Sequence, residues 1–465
     1  MLLIVLDSAR ADALEPYGAS PGASPVLADL AKRGSALPHA YASASWTLPS
    51  HASMFSGRLP RGTGLMQAPQ STPLSCRPFL EALGDQLLPE VLRRSGYETR
   101  AISANLWLTP ESGFATGFDR FETVDSGRLK LMDRTDTRAR ARWAIEAARA
   151  TADDGAAEVL ETVRKWSREP ADQPFFWFVN LVECHSPYLP PSPYNPLGLI
   201  GRMRAADEAR RYLTLPSIWR ACAGALDVPD AALGRMRRLY GGAIRQLDAW
   251  VGDALEAVDD AGRLDDTLVI VTADHGENFG EQGLMAHAFS LDERLIRVPF
   301  ITAGPGKPNR DGAFSLVELP RVVAAAAGVD PHPGWEATEE GVAVAQFDPP
   351  GSIDHPRWVE RLAEWGHSAE IAGPRVAAML TAATDGRHKL VRRDDDETAF
   401  DLVSDPDERK RLAPADLDSE VVARLRRGLE REGAAARPVA ADTQPEASEE
   451  ELRDLEERMK LLGYL

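Results

Sequence analysis

The sequence predicts an α/β fold: a large, mainly parallel, doubly wound sheet, followed by a small domain built on an antiparallel sheet. Three observations predict it. Leu2–Leu6 is a continuous apolar run, Phe175–Leu181 is strongly apolar and aromatic, and residues 268–272 are a further apolar stretch, the pattern of strands buried on both faces. Helical stretches separate such runs up to about residue 330. After the Pro/Gly-rich stretch 331–351, short runs at 376–384, 388–393 and 398–402 read as antiparallel strands around turns, with Asp394-Asp395-Asp396 at one tip.

Taken in order, Leu2–Leu6 ends in Asp7, a carboxylate at the strand edge where open α/β sheets place ligands. Residues 25–34 form a helix stopped by Gly34, and Pro49 and Gly57 bracket another. Residues 58–80, rich in Pro, Gly, Ser and Thr, read as a loop, and 83–95 as a helix ending at Gly96. A strand at 99–103 leads to Asn105, and 113–119 is a glycine-punctuated turn. Residues 137–168 are largely helical. Phe175–Leu181 runs into Glu183-Cys184-His185-Ser186-Pro187-Tyr188. Residues 190–228 show no clear periodicity and read as an inserted wall or lid. A long helix covers 229–260, the strand 268–272 ends in Asp274-His275-Gly276-Glu277, and 316–327 is a helix. A helix at 416–432 and an irregular 433–446 precede an acidic amphipathic tail helix. The implied division is a catalytic domain over 1–335, a small α+β unit over 336–437 and the tail over 438–465.

The 465 residues, 44% hydrophobic and 27% charged, suit a soluble globular protein with a large core. A net charge of −18 excludes nucleic acid or an anionic membrane as the main partner. An anionic substrate then needs local positive charge, such as a metal ion. The three cysteines, Cys76, Cys184 and Cys222, give no disulfide framework and no Cys-rich metal site. Cys184 reads as a packed thiol. The first apolar run is too short for a signal peptide and no stretch reaches membrane-spanning length, so a cytoplasmic protein with reduced thiols is expected. The sequence carries no signal for oligomeric state.

The stretch Ser45-Trp46-Thr47-Leu48-Pro49-Ser50-His51 puts Thr47 at or just before a helix N-terminus, where free N–H groups and the helix dipole favour negative charge. A capped helix without chemistry would look the same. Its company favours chemistry: three apolar strands end in Asp7, His185 and Asp274-His275. Carboxylate, imidazole and hydroxyl oxygen suit a divalent transition ion, so Asp7, Thr47, Asp274 and His275 form a candidate four-ligand site for Zn2+ or Mn2+. Coordination lowers the pKa of a bound hydroxyl, as zinc lowers that of water to roughly 7.

The order Asp7…Thr47-Leu48-Pro49-Ser50-His51…His185-Ser186-Pro187-Tyr188…Asp274-His275-Gly276…His287…Arg297-Val298-Pro299 resembles the sulfatase branch of the alkaline phosphatase superfamily. Asp385-Gly386-Arg387-His388-Lys389 and Phe400-Asp401-Leu402 are similar to that family's small C-terminal domain. The resemblance implies an alkaline-phosphatase-like sandwich with a small antiparallel domain. The departures are informative. Sulfatases carry, where Thr47 stands, a Cys or Ser that is oxidised to formylglycine; a threonine would give a ketone. His51 replaces an arginine, Ser8 a metal-binding aspartate, His275 an asparagine and His287 a lysine. These changes move the site from calcium, held by oxygen alone, toward zinc or manganese. The pattern is closer to phosphonate monoester hydrolases and to the membrane-anchored, threonine-dependent phosphoethanolamine transferases. The two-metal phosphodiesterases of the superfamily have another Asp-x-x-x-His and a distant His; no such pair stands at a strand end here, so the resemblance implies one divalent ion.

The resemblance implies that His185 and His287 stabilise the transferred group and protonate the leaving oxygen. It makes Trp46, His51 and Asn105 substrate-contacting or supporting residues. The expected activity is a metal-dependent hydrolase or transferase cleaving a small phosphate or phosphonate ester through a covalent intermediate on Thr47. The alternatives are a sulfate ester or sulfamate substrate with unmodified Thr47, and an anion-binding pseudoenzyme.

Overall fold

Strand register decides which residues meet at the sheet edge. In the computed structural model Leu2–Leu6 lies at the centre of a seven-stranded sheet. Phe175–Leu181 flanks it on one side and Val269–Thr272 on the other, both parallel to it. All the residues of these three strands are buried, in keeping with their largely apolar character. Glu98–Ser103 and Arg120–Thr123 continue the parallel pairing outward, while Phe300–Ala303 runs antiparallel beside Val269–Thr272 and Ser35–Ala36 closes that edge. Val5 pairs with both Asn180 and Thr272, so Asp7, Glu183 and Asp274 leave the sheet at one edge.

The structure describes residues 1–66, 76–124, 137–151, 153–170, 173–308, 312–339, 341–349 and 356–435. Helix Thr47–Ser56 lies against the sheet through Phe55, which packs edge-on to Phe178 at 5.0 Å and Phe118 at 5.9 Å. It stops at Gly57, whose φ of +63° is left-handed; a Cβ there would stand 2.7 Å from the Trp335 ring. The long helix Asp230–Asp260 packs on Ala156–Arg168 and Pro25–Arg33.

Several expected elements differ in detail. Residues 190–228 contain the helices Leu199–Tyr212 and Leu215–Cys222. The first buries mainly Ala205, Ala206 and Ala209 while leaving Leu199, Ile200 and Met203 exposed, so its apolar residues trace no single stripe. Residues 58–80 include the short helix Pro60–Thr63 and the start of Arg77–Ala82; 67–75 lie outside the described residues. Residues 83–95 divide at an extended Leu87 into a 3-10 turn and the helix Leu88–Arg94.

The small sheet has the order Ala343–Phe347, Leu380–Thr384, His388–Arg393, Asp396–Asp401, antiparallel throughout. Its first strand falls inside the Pro/Gly-rich stretch. The run expected from 376 starts at Leu380, because Val376 ends a helix, Ala369–Val376, that Pro374 disguises. The sheet is two-faced. Ala343, Ala345 and Phe347 join the main core. Val344, Ala383 and Leu390 pack with Leu425 and Leu429 of helix Ser419–Ala435. The acidic tail helix 438–465 and most of 433–446 lie outside the described residues.

Candidate active site

Thr47 is the first residue of its helix, which starts with an extended Trp46 and no side-chain cap. Its Oγ1 lies 3.4 Å from His275 Nε2. Asp7, Asp274 and His275, all fully buried, converge beside it, with one ligand atom of each within 4.8 Å of the others. Ser8 organises the two carboxylates. Its backbone is left-handed, at φ 62°, a costly conformation for a residue with a side chain. There its N–H donates to Asp274 Oδ1 at 3.1 Å and its hydroxyl to Asp7 Oδ1 at 2.9 Å. The Tyr240 hydroxyl holds the turn by donating to the Ser8 carbonyl at 2.8 Å. Gly276 completes the other side: a Cβ there would stand 1.9 Å from the Arg294 carbonyl oxygen.

The electrostatics are those of a crowded, dry cluster. Burial, reinforced by the neighbouring Asp7, pushes the Asp274 carboxyl well above the usual carboxylate range. For Asp7 burial acts the same way, but His185, His275 and His51 together with the Ser8 hydroxyl outweigh it and hold the group low. Burial lowers His275, and lowers His51 to about 4, against the opposing pull of Asp7 on both rings. The His275 Nδ1 lies 2.9 Å from the Gly276 carbonyl, to which it can only donate. That leaves the Nε2 lone pair facing the carboxylates, the tautomer of a metal-ligating imidazole. Asp274 Oδ2 is buried without a hydrogen bond, 3.4 Å from His275 Nε2. An orphaned carboxylate oxygen, a second carboxylate and a nitrogen lone pair converging on one point fit a divalent cation.

Against this cluster lie His185 and His287, ring centroids 5.1 Å apart; the His287 ring is 4.5 Å from that of His275. His185 Nδ1 donates to the Ser186 carbonyl at 2.8 Å. His287 Nδ1 lies 3.1 Å from Oε1 of the buried Glu277.

The model of the sulfatase family matches residues 1–329. This chain belongs to the sulfatase family. Among curated relatives it is 30% identical over 197 residues to a choline-sulfatase of Rhizobium meliloti (strain 1021), covering 40% of this chain and 35% of that protein. It is 24% identical over 157 residues to the multifunctional alkaline phosphatase superfamily protein PehA of Trinickia caryophylli, covering 30% of each. It is 24% identical over 345 residues to the iduronate 2-sulfatase of Mus musculus, covering 66% of this chain and 59% of that one. The matches to the first two thus span about a third of those proteins' length. In fold the chain is similar to a 2-O GAG sulfatase, with TM-score 0.67, 17% identity and coverage of 97% of this chain and 95% of that one. It is also similar to the phosphonate monoester hydrolase of Agrobacterium radiobacter, with TM-score 0.61, 19% identity and coverage of 93% and 94%.

In this sulfatase-family site the structure brings Asp7, Thr47, Asp274, His275, His185 and His287 together. The supporting residues divide. Asn105 donates from Nδ2 to Asp7 Oδ2 at 2.7 Å, fixing the second carboxylate oxygen. His51 is wholly buried beneath the cluster, its Nδ1 donating to the Thr47 carbonyl at 3.0 Å, so it supports the helix start and touches no solvent-borne group. Trp46 is half-buried at the N-cap. Ser50, which donates to the Asp274 carbonyl at 2.6 Å, and Ser8, Tyr240 and Glu277 had no assigned role in the sequence reading. Two carried a signal: Ser8, in the place of a metal-binding aspartate of the family, and Glu277, a carboxylate adjoining the Asp274-His275-Gly276 turn.

Proposed function

We propose that the chain is a metal-dependent hydrolase or transferase acting on a small phosphate or phosphonate ester, with Thr47 Oγ1 as the attacking atom. The observation that carries this reading is the Thr47 hydroxyl at a helix N-terminus, 3.4 Å from His275 Nε2 and beside two buried carboxylates. Asp7, Asp274, His275 and Thr47 would hold one ion, and the imidazole nitrogen favours Zn2+ or Mn2+ over Ca2+. When bound, the ion supplies positive charge to the hydroxyl and to an ester oxygen, easing ionisation of the first and crowding of charge on the second.

The protein's own groups do the rest. Trp46 and His51 fix the first turn of the helix, so Oγ1 meets the ester in one orientation. The helix N-terminus favours the anionic oxygens of the substrate. His185 and His287, beside the cluster, stabilise the transferred group and deliver a proton to the leaving oxygen. The product of attack is a phospho-threonine, resolved by water or an acceptor alcohol. A second reading, a sulfate ester substrate, draws support from the choline-sulfatase and iduronate 2-sulfatase relatives. Unmodified Thr47 favours the phosphoryl reading, since threonine cannot yield the aldehyde on which sulfatases depend.

The test is a panel of aryl phosphomonoesters, phosphodiesters, phosphonates and sulfates assayed with Zn2+, Mn2+ and Ca2+. We expect highest turnover on a phosphorus ester. Thr47→Ala should lower it at least about 10³-fold with the fold intact, and quenched enzyme should carry added mass on the Thr47 peptide. Near-normal Thr47→Ala activity rules out the covalent route, turnover of sulfates alone selects the second reading, and no turnover at all supports an anion-binding pseudoenzyme.

A further inference from the structure

The Glu277 side chain is fully buried, and a buried polar group is costly unless it is hydrogen-bonded. Its place is set by backbone pairing. Asn278–Phe279 runs antiparallel to Met285–Ala286, with Asn278 opposite Ala286. Glu277 directly precedes the first strand and His287 directly follows the second, so the hairpin brings the two together at its open end. The result is the 3.1 Å contact between Glu277 Oε1 and His287 Nδ1. The His287 side chain keeps 20% exposure, whereas Glu277 has none. The backbone of Glu277 is anchored separately: Arg10 Nη1 donates to its main-chain carbonyl at 3.1 Å.

An imidazole can carry its proton on either nitrogen and can rotate about its side chain. A carboxylate on Nδ1 removes both freedoms, because Nδ1–H then donates to it in the neutral and the cationic ring alike. Only Nε2 is left for another partner. We propose that Glu277 is a positioning residue that grips His287 through Nδ1–H and so presents Nε2 to the leaving-group oxygen. The proposal rests on the role given to His287 above. In that step Thr47 Oγ1, ionised after losing its proton to water, bonds to the ester centre as the bond to the leaving oxygen breaks. The electron pair stays on the leaving oxygen, which takes the Nε2 proton. The ring ends neutral, with Nδ1–H still on Glu277.

The experiment compares Glu277→Ala, Glu277→Gln, His287→Ala and the Glu277→Ala/His287→Ala double variant on aryl phosphonate and aryl sulfate esters of graded leaving-group acidity. A lost general acid costs about 10²–10⁴-fold. Glu277→Ala should therefore lower kcat by about 10²-fold or more for phenol-like leaving groups, hardly at all for nitrophenols, with KM little changed. Glu277→Gln keeps an acceptor at the same place and should recover at least about tenfold. The double variant should match His287→Ala, since two residues acting as one unit are not additive. A downfield Nδ1–H proton resonance should be present in the wild type and in Glu277→Gln, and absent in Glu277→Ala. Additive losses, or a Glu277→Ala enzyme as fast as wild type while His287→Ala is slow, overturn the proposal. Should His287→Ala itself keep full rate, the acid role fails instead, and the resonance alone decides whether Glu277 holds the ring.

Discussion

Asp274 and His275 have side chains of no use to the core: both are fully buried and polar, and neither lies within an apolar face. Their pairing with Asp7 raises the cost of a second negative charge, which a divalent cation relieves. Removing both Asp274 and His275 side chains should therefore abolish bound Zn2+ or Mn2+ in elemental analysis, and full retention would show that other groups hold the ion. The three cysteines are buried free thiols. Burial pushes Cys76 from its ordinary 9.0 up to about 12 and Cys222 up to about 11. A raised native value means that the neutral thiol is preferred in the fold. That stability is complete below about pH 9 and is lost as pH rises toward the folded values. Ellman's reagent at pH 8 should thus find no reactive thiol in the native protein and all three in denaturant; fast labelling of native protein would contradict this burial.

At the scale of elements, the loop carrying His287 is held from outside by the small sheet. Lys389, fully buried in strand His388–Arg393, donates to the Leu291 carbonyl at 2.5 Å and pairs with Glu293 at 3.2 Å and Glu408 at 2.8 Å. Glu408 returns the bond by accepting from the Glu293 N–H at 2.7 Å. Removing one partner of such a buried network leaves the others uncompensated. Lys389→Met should destabilise the protein by about 3–5 kcal/mol in urea titration, the range for broken buried ion pairs. A loss under about 1 kcal/mol would mean that the carboxylates relax into solvent.

For the whole molecule, the small sheet shares one face with the main core, and Arg61 crosses between the two to reach Asp348 at 2.8 Å and Thr381 at 2.9 Å. A shared core favours one cooperative transition over two. Calorimetry should show a single endotherm, and two well-separated peaks would refute the coupling. The proposed ion ties together two strand ends and the start of a helix, so it should raise stability by mass action. At a free concentration about 100 times its Kd the gain is about 2.7 kcal/mol. A chelator should lower Tm correspondingly, and an unchanged Tm would argue against an ion at these residues.

The strands were legible because burial on both faces leaves a largely apolar run: Leu2–Leu6 and Phe175–Leu181 match residue for residue. The helix Thr47–Ser56 was legible from Pro49 and Gly57, whose backbone preferences are local. The polar residues that end these elements, Asp7, Thr47, His185 and Asp274-His275, could be named for the same reason: a carboxylate or imidazole interrupting an apolar pattern needs a cause. Helix Leu199–Tyr212 was hidden because its buried side is alanine, and strand Ala343–Phe347 because its Pro/Gly surroundings mask it. What only the tertiary structure decided is which groups serve each other. Sheet register sets Asp7 level with Asp274, a left-handed Ser8 binds both, and a hairpin brings Glu277 to His287. Those pairings span from 10 to 266 residues of chain, and local preference carries no information over such distances. They follow from the order in which the strands pack, which the hydrophobic pattern permits and the closed core alone selects.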